Sequence, residues 1–132
     1  MTVGLDTSVA VRLLIGEPAE QAEAARRLLD VSGAADPAAV SDLVVGETYF
    51  ALRHHYRVPH GRAVAAIRAL LADARVGPTG VALEVLDALS EEETTPGLMD
   101  RLIHGDYQRH GLELLTFDRD AAKLEGARLI QA

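Results

Sequence analysis

Residues 3–14 read VGLDTSVAVRLL. A short apolar run ends at a carboxylate, Asp6; two small hydroxyl residues, Thr7 and Ser8, follow, and apolar residues then recur at helical spacing. This is the pattern of a buried strand that turns directly into a helix. A carboxylate at such a junction has two readings. It can cap the helix by accepting from orphan N–H groups at the positive end of the dipole. It can also belong to a site, because in open parallel sheets sites form outside the carboxyl ends of strands.

Working outward, the same alternation repeats. A strand is expected over 2–6 and a helix over 7–15. Glu17-Pro18 restarts a helix with Pro18 in its first turn, and this helix ends near Ser32-Gly33. "DPAAVS" (36–41) reads as a weak second strand. Ser41 or Asp42 then caps a long helix in which Leu43, Gly46, Phe50, Ala51 and Leu52 are expected to form the buried stripe. An amphipathic helix follows over 60–74 through Val64, Ile67, Leu70 and Leu71. After it come a brief strand and turn at 75–80 and helices over 81–91 and 97–110. The chain closes with the strand "LELLT" (112–116), a short helix at 118–124 and an edge strand "ARLI" (127–130). Strands alternating with helices define an α/β class. The expected architecture is one domain over residues 1–132, with a mainly parallel central sheet of four to five strands flanked by helices.

The composition narrows the function classes. The chain of 132 residues has no cysteine, which excludes disulfides, thiol nucleophiles and zinc–thiolate sites. Twenty acids against 13 bases give a net charge of −7, which argues against a simple binder of phosphate backbones. Twelve of the bases are Arg and one is Lys123. Arg suits bidentate phosphate contacts, although biased genome composition produces the same excess. Only five aromatics are present, Tyr49, Phe50, Tyr56, Tyr107 and Phe117, and they are expected to form no stacking platform of the kind that single-stranded RNA readers use. No basic–apolar leader pattern and no long apolar run is present, so no membrane partner and a cytoplasmic location are expected.

Four acids stand out. Asp6 and Asp118 follow predicted strands, and either could be a helix cap. Glu47 lies inside the long helix among Val44, Val45, Phe50 and Ala51, beside Gly46. There a carboxylate is costly unless it is compensated or reaches water at the edge of the stripe. Asp100 lies in the first turns of the helix that starts after Pro96-Gly97. Asp106 falls about 120° away around that helix and is read as solvated. Asp120 and the run Glu91-Glu92-Glu93 are read as surface acids. Converging carboxylates repel one another and raise their own pKa values. Hard divalent cations such as Mg²⁺ or Mn²⁺ remove that penalty, orient a phosphodiester and activate water. The histidines at 54, 55, 60, 104 and 110 contain no i, i+4 pair and offer no rival metal site. Each is read as a satisfied or exposed histidine, with His104, one turn from Asp100, at a position that could border a cleft.

Four motifs together resemble a known family. "LDTSV", "VSDLVVGETYFAL", "LMDRLIHGDYQRHG" and "LLTFDRDAAKL" are similar to the motifs of the PIN-domain ribonucleases, and more narrowly of the VapC-like toxins of type II toxin–antitoxin pairs. The resemblance covers almost the whole chain. It implies a catalytic acidic quartet at Asp6, Glu47, Asp100 and Asp118, with Asp6 and Asp100 as the firmest Mg²⁺ ligands. Glu47 and Asp118 would complete the site, and Thr7 and Thr116 would orient the acids. It further implies metal-dependent endonucleolytic cleavage of RNA, a homodimer, inhibition by a cognate antitoxin, and binding of operator DNA only through that antitoxin. One stretch departs from the family pattern. Small residues are usual after the third acid, but here Arg101, His104, Gly105 and Asp106 occupy those positions, which bears on the shape of the cleft.

The alternatives are a PIN-type RNA-processing nuclease without an antitoxin, and a non-catalytic receiver-like or binding module. A receiver domain needs a phosphoacceptor Asp at the end of a mid-chain strand, where this chain has only Glu47 inside a helix. A haloacid-dehalogenase reading of "LDTS" fails because the second acid that chemistry needs is Ser8.

Overall fold

A computed structural model describes residues 1–131. Helix α1 (Thr7–Ile15) starts directly after the first extended segment and stops at Gly16, whose φ of 82° favours a residue without Cβ. Helix α2 (Ala19–Ser32) follows Pro18, which sits at the N-cap, one position ahead of the expected first turn. The remaining helices are α3 (Asp42–Phe50), α4 (His60–Ala72), α5 (Ala82–Ala88) and α6 (Leu98–Arg109). The predicted short helix near 118–124 is a single 3₁₀ turn, Ala121–Lys123.

Every strand pairing among the described residues is parallel. Strand β1 (Ala38–Val40) pairs with β2 (Val76–Pro78), and β3 (Leu114–Thr116) pairs with β4 (Ala127–Leu129). On its other side β1 receives the first segment: Gly4 bridges Ala39, the Ala39 N–H donates to Val3 O, and the Leu5 N–H donates to Ala39 O, both at 2.8 Å. The predicted buried strand 2–6 is thus a short extended stretch with two ladder bonds, and only Leu5 of it is buried, because the segment lies at the outer edge of its ladder with Thr2, Val3 and Gly4 exposed. The ladders fall into two parallel groups, one of three segments and one of two, within an α/β fold flanked by helices. Pro78 closes β2, where a missing N–H is tolerated because β2 is an outer strand.

Helix α4 lies at the centre of the core. Its Val64, Ile67, Leu70 and Leu71 are buried as their spacing predicts, against Val40, Val45 and Leu86 from neighbouring elements. Helix α3 departs from expectation. Leu43 and Phe50 are 74% and 64% exposed, and the inward side is Val45, Thr48 and Leu52. Apolar residues surround this helix, so periodicity does not select one face. Packing selects it instead. Gly46 receives the Met99 side chain of α6, and a Cβ at that position would lie 2.2 Å from Met99 Sδ. After Phe50 the helix widens into a π-helical segment, Ala51–His55, closed by the Tyr56 N–H donating to Ala51 O at 3.1 Å.

Two polar clamps hold α5. The expected choice between Ser41 and Asp42 as the cap of α3 resolves into separate jobs. Ser41 Oγ accepts from the Val44 N–H at 3.2 Å and caps α3. The Asp42 carboxylate accepts from the N–H groups of Val81 and Ala82 at 3.1 and 3.0 Å, satisfying the start of α5. At the other end Arg68 donates to Leu86 O at 2.7 Å and to Leu89 O at 3.1 Å, supplying the last carbonyls with a cation.

Candidate functional site

The predicted acids emerge from the carboxyl side of the strands and from the two helices that cross at Gly46. Asp6 follows the first segment and occupies the N-cap position of α1, yet its side chain makes no capping hydrogen bond. Asp6 Oδ2 accepts instead from the Ser8 hydroxyl at 3.0 Å. That bond, followed by the Thr7 amide, holds the exposed carboxyl below its ordinary pKa. Asp6 therefore stays ionised and open to solvent, engaged only by the first two residues of α1.

Glu47 projects from α3 into solvent, so its place within an apolar run carries no burial penalty. Its Oε1 accepts from the Thr7 hydroxyl at 2.8 Å. This bond ties α3 to the first turn of α1, next to Asp6. On the other side of Gly46, the Met99 contact brings α6 against α3 at the residues adjacent to Glu47 and Asp100.

Asp100 is half-buried in the first turn of α6. Burial first, and then repulsion from Asp118 and Asp120, push its pKa above the ordinary carboxylate value. Asp118 follows β3, where its amide donates to Thr116 Oγ1 at 2.9 Å. Asp118 Oδ1 accepts from the amides of Asp120 and Ala121 at 2.8 and 3.1 Å. One carboxylate oxygen is thereby engaged in the turn while the group remains close enough to act on Asp100.

The acids thus fall into two linked halves. One half contains Asp6, Thr7 and Glu47, and the other contains Asp100, Asp118 and Asp120. Asp120 is the addition: the sequence placed it on the surface, and the "D-x-D" spacing from Asp118 was its only signal. No three carboxylate or imidazole groups among the described residues gather closely enough to enclose one metal ion directly. The donor chemistry nonetheless fits a hard cation. All the groups offer oxygen, and Asp100 is held among like charges that a cation would relieve. Mg²⁺ in particular keeps several of its waters and uses only one or two carboxylates.

The neighbouring residues take the satisfied and solvated roles expected of the histidines and of Asp106. His104 reaches the Glu125 carbonyl through Nε2, tying α6 to the turn before β4. Asp106 faces away from Asp100 and lines a groove of about 650 Å³ with Asp42, Leu43, Met99 and Arg109. None of the four predicted acids lines that groove. Arg101 donates to Pro96 O at 2.8 Å and pairs with Glu93 at 3.3 Å, so it braces the loop before α6.

Compared with known protein families, residues 3–127 match the PIN domain. The chain belongs to the PIN-domain family. Neither a curated protein nor a solved structure matches it significantly. PIN domains are generally nucleases and typically use divalent metal ions. In this PIN domain the Thr7–Glu47 bond sets Glu47 beside the α1 start that follows Asp6, and the turn after β3 sets Asp118 and Asp120 near Asp100. No helix among the described residues is long and apolar enough to cross a membrane.

Proposed function

We propose that this PIN-domain protein is a Mg²⁺-dependent endoribonuclease acting as the toxin of a toxin–antitoxin pair, with residues 1–132 as its nuclease domain. The observation that carries the reading is the family match over residues 3–127 on a chain with acids at positions 6, 47, 100 and 118. Asp6 and Asp100 would hold the cation, with Mn²⁺ as an alternative ion. A bound divalent cation supplies a water of lowered pKa and charge stabilisation for the leaving oxygen. Thr7 orients Glu47, and the amides of Asp120 and Ala121 orient Asp118. Asp100 is the carboxylate whose ionisation gains most from a nearby positive charge. The local cation also gives a protein of net charge −7 a means of meeting a phosphodiester.

The toxin assignment rests on the resemblance of the four motifs to VapC-like proteins. It carries with it a cognate antitoxin, a homodimer, operator DNA bound through the antitoxin, and a cytoplasmic location. The test has two arms. Purified wild type is expected to cut RNA in Mg²⁺ or Mn²⁺, and an Asp6→Asn/Asp100→Asn variant is expected to remain folded without cutting. Cleavage retained by the variant overturns the mechanism. Induced expression is expected to arrest growth, with relief by the product of the adjoining upstream gene. Cleavage without arrest would point to an RNA-processing nuclease instead.

A further inference from the structure

Helix α3 carries a second feature that the acidic site does not use. Glu47, Phe50 and His54 follow one another at spacings of three and four residues, so they share one side of the helix. All three are exposed, as is Arg57 just beyond the π-helical segment. Phe50, 64% exposed, lies against the His54 imidazole with ring centroids 4.5 Å apart and planes tilted by 41°. With only five aromatics, the sequence is expected to offer no stacking platform. The structure pairs one of them with an imidazole, giving a two-ring surface that starts one turn from Glu47.

The charge around this surface is the reverse of the molecule's average. Residues 48–72 form the longest stretch of the chain without an acid, and they include Arg53, His54, His55, Arg57 and Arg62. Arg53 donates to the Tyr49 hydroxyl at 3.1 Å. Neither Arg53 nor Arg57 pairs with a carboxylate among the described residues. In a protein of net charge −7, guanidinium groups free of carboxylates beside exposed rings, in a stretch without an acid, mark a surface complementary to a polyanion with planar bases.

We infer that Phe50 and His54 stack an unpaired base of single-stranded RNA next to the cleavage site, while Arg53 and Arg57 contact its backbone. The inference rests on the proposed nuclease reading and adds the residues that position its substrate. From Glu47 to His54 the helix rises about 10 Å, so the stacked base would belong to a nucleotide close to the scissile bond. Base–aromatic stacking is tolerant of sequence, because every base has a π-face.

The test is binding, separated from cutting. In an Asp100→Asn background with Mg²⁺ present, fluorescence anisotropy follows a labelled single-stranded RNA of mixed sequence that carries 2-aminopurine. Phe50→Ala is expected to weaken binding about tenfold and to abolish quenching of the 2-aminopurine, with the salt dependence unchanged. Phe50→Trp is expected to restore both. Arg57→Gln is expected to weaken binding and to flatten the slope of log K against log salt by about one. Melting temperatures are expected to be unchanged, because both side chains are exposed. RNA affinity and quenching that survive Phe50→Ala overturn the inference. So does the finding that Phe50→Ala impairs only association with a co-expressed protein partner. If the wild type cuts no RNA, the nuclease reading falls while Phe50-dependent binding still supports the platform. If it cuts RNA and Phe50→Ala binds normally, only the platform falls.

Discussion

The bond from the Thr7 hydroxyl to Glu47 Oε1 is the one direct link between α1 and an acid of α3, and its removal separates orientation from stability. Thr7→Val keeps the side-chain shape and deletes the donor. The bond is exposed, so its net contribution lies at the low end for a hydrogen bond, about 0.5 kcal/mol. A chain of 132 residues unfolds with an entropy of about 0.28 kcal/mol/K. The expected loss in Tm is therefore only about 2 °C. Function is expected to respond far more. A group that fixes a metal-site ligand typically changes metal affinity or activity about 10- to 100-fold, and Glu47 without Thr7 is free to rotate in solvent. The assay is cleavage of a long end-labelled transcript across a Mg²⁺ titration, with thermal melts in parallel. Thr7→Ser retains the donor and should recover the wild-type rate and Mg²⁺ dependence. A Thr7→Val protein with wild-type cleavage at every Mg²⁺ concentration would refute the orienting role. A large drop in Tm would instead make Thr7 a structural residue.

Two further outcomes follow from named contacts. Because burial and the charges of Asp118 and Asp120 raise the pKa of Asp100, the folded state holds that proton more tightly than the unfolded state. Stability of the metal-free protein should fall as pH rises from the ordinary carboxylate value, 3.8, through the raised one. Asp100→Asn should remove this loss, melting at or above wild type at neutral pH in EDTA and gaining less from added Mg²⁺; a lower Tm than wild type in EDTA would contradict the repulsion. Arg68→Met should strip the carbonyls of Leu86 and Leu89 of their donor. It is expected to lower stability by about 2–4 kcal/mol, or roughly 10 °C by circular dichroism, and a shift within error would show that water replaces the guanidinium.

The legible parts of the fold were those where local chemistry and packing agree. The switch at VGLDTSVAVRLL gave both the first extended segment and the start of α1, because the short apolar run ends at polar Asp6, Thr7 and Ser8 and apolar residues then recur at helical spacing. The α4 stripe was equally plain, since its large apolar residues Val64, Ile67, Leu70 and Leu71 fall on one side and only Arg and small residues on the other. Helix α3 was misread at Leu43 and Phe50 for the opposite reason. Its buried side includes Thr48, which a count of apolar residues passes over, and Gly46, whose contribution is the space it leaves for Met99. The π-helical widening after Phe50 had no signature in the sequence.

The site was legible as a set of residues and much less so as an arrangement. Asp6 and Asp118 could be singled out because strand ends aim side chains to one edge of a parallel sheet. What the sequence does not contain is the through-space relation that gives Asp100 its character. That relation depends on α6 and β3 returning side by side, and on the turn in which Asp118 engages the Asp120 amide. The same turn brings Asp120 into range of Asp100, which is why an acid read as surface belongs electrostatically to the site. Capping was the fair rival explanation for Asp6, and the structure separates the two jobs by geometry. The capping position is occupied, but the carboxylate is held by the Ser8 hydroxyl, with the Thr7 amide beside it, and forms no cap hydrogen bond further into α1. An acid that is ionised, exposed and engaged only by the first turn of its helix keeps oxygen lone pairs for coordination. That, more than its motif, makes Asp6 a credible ligand.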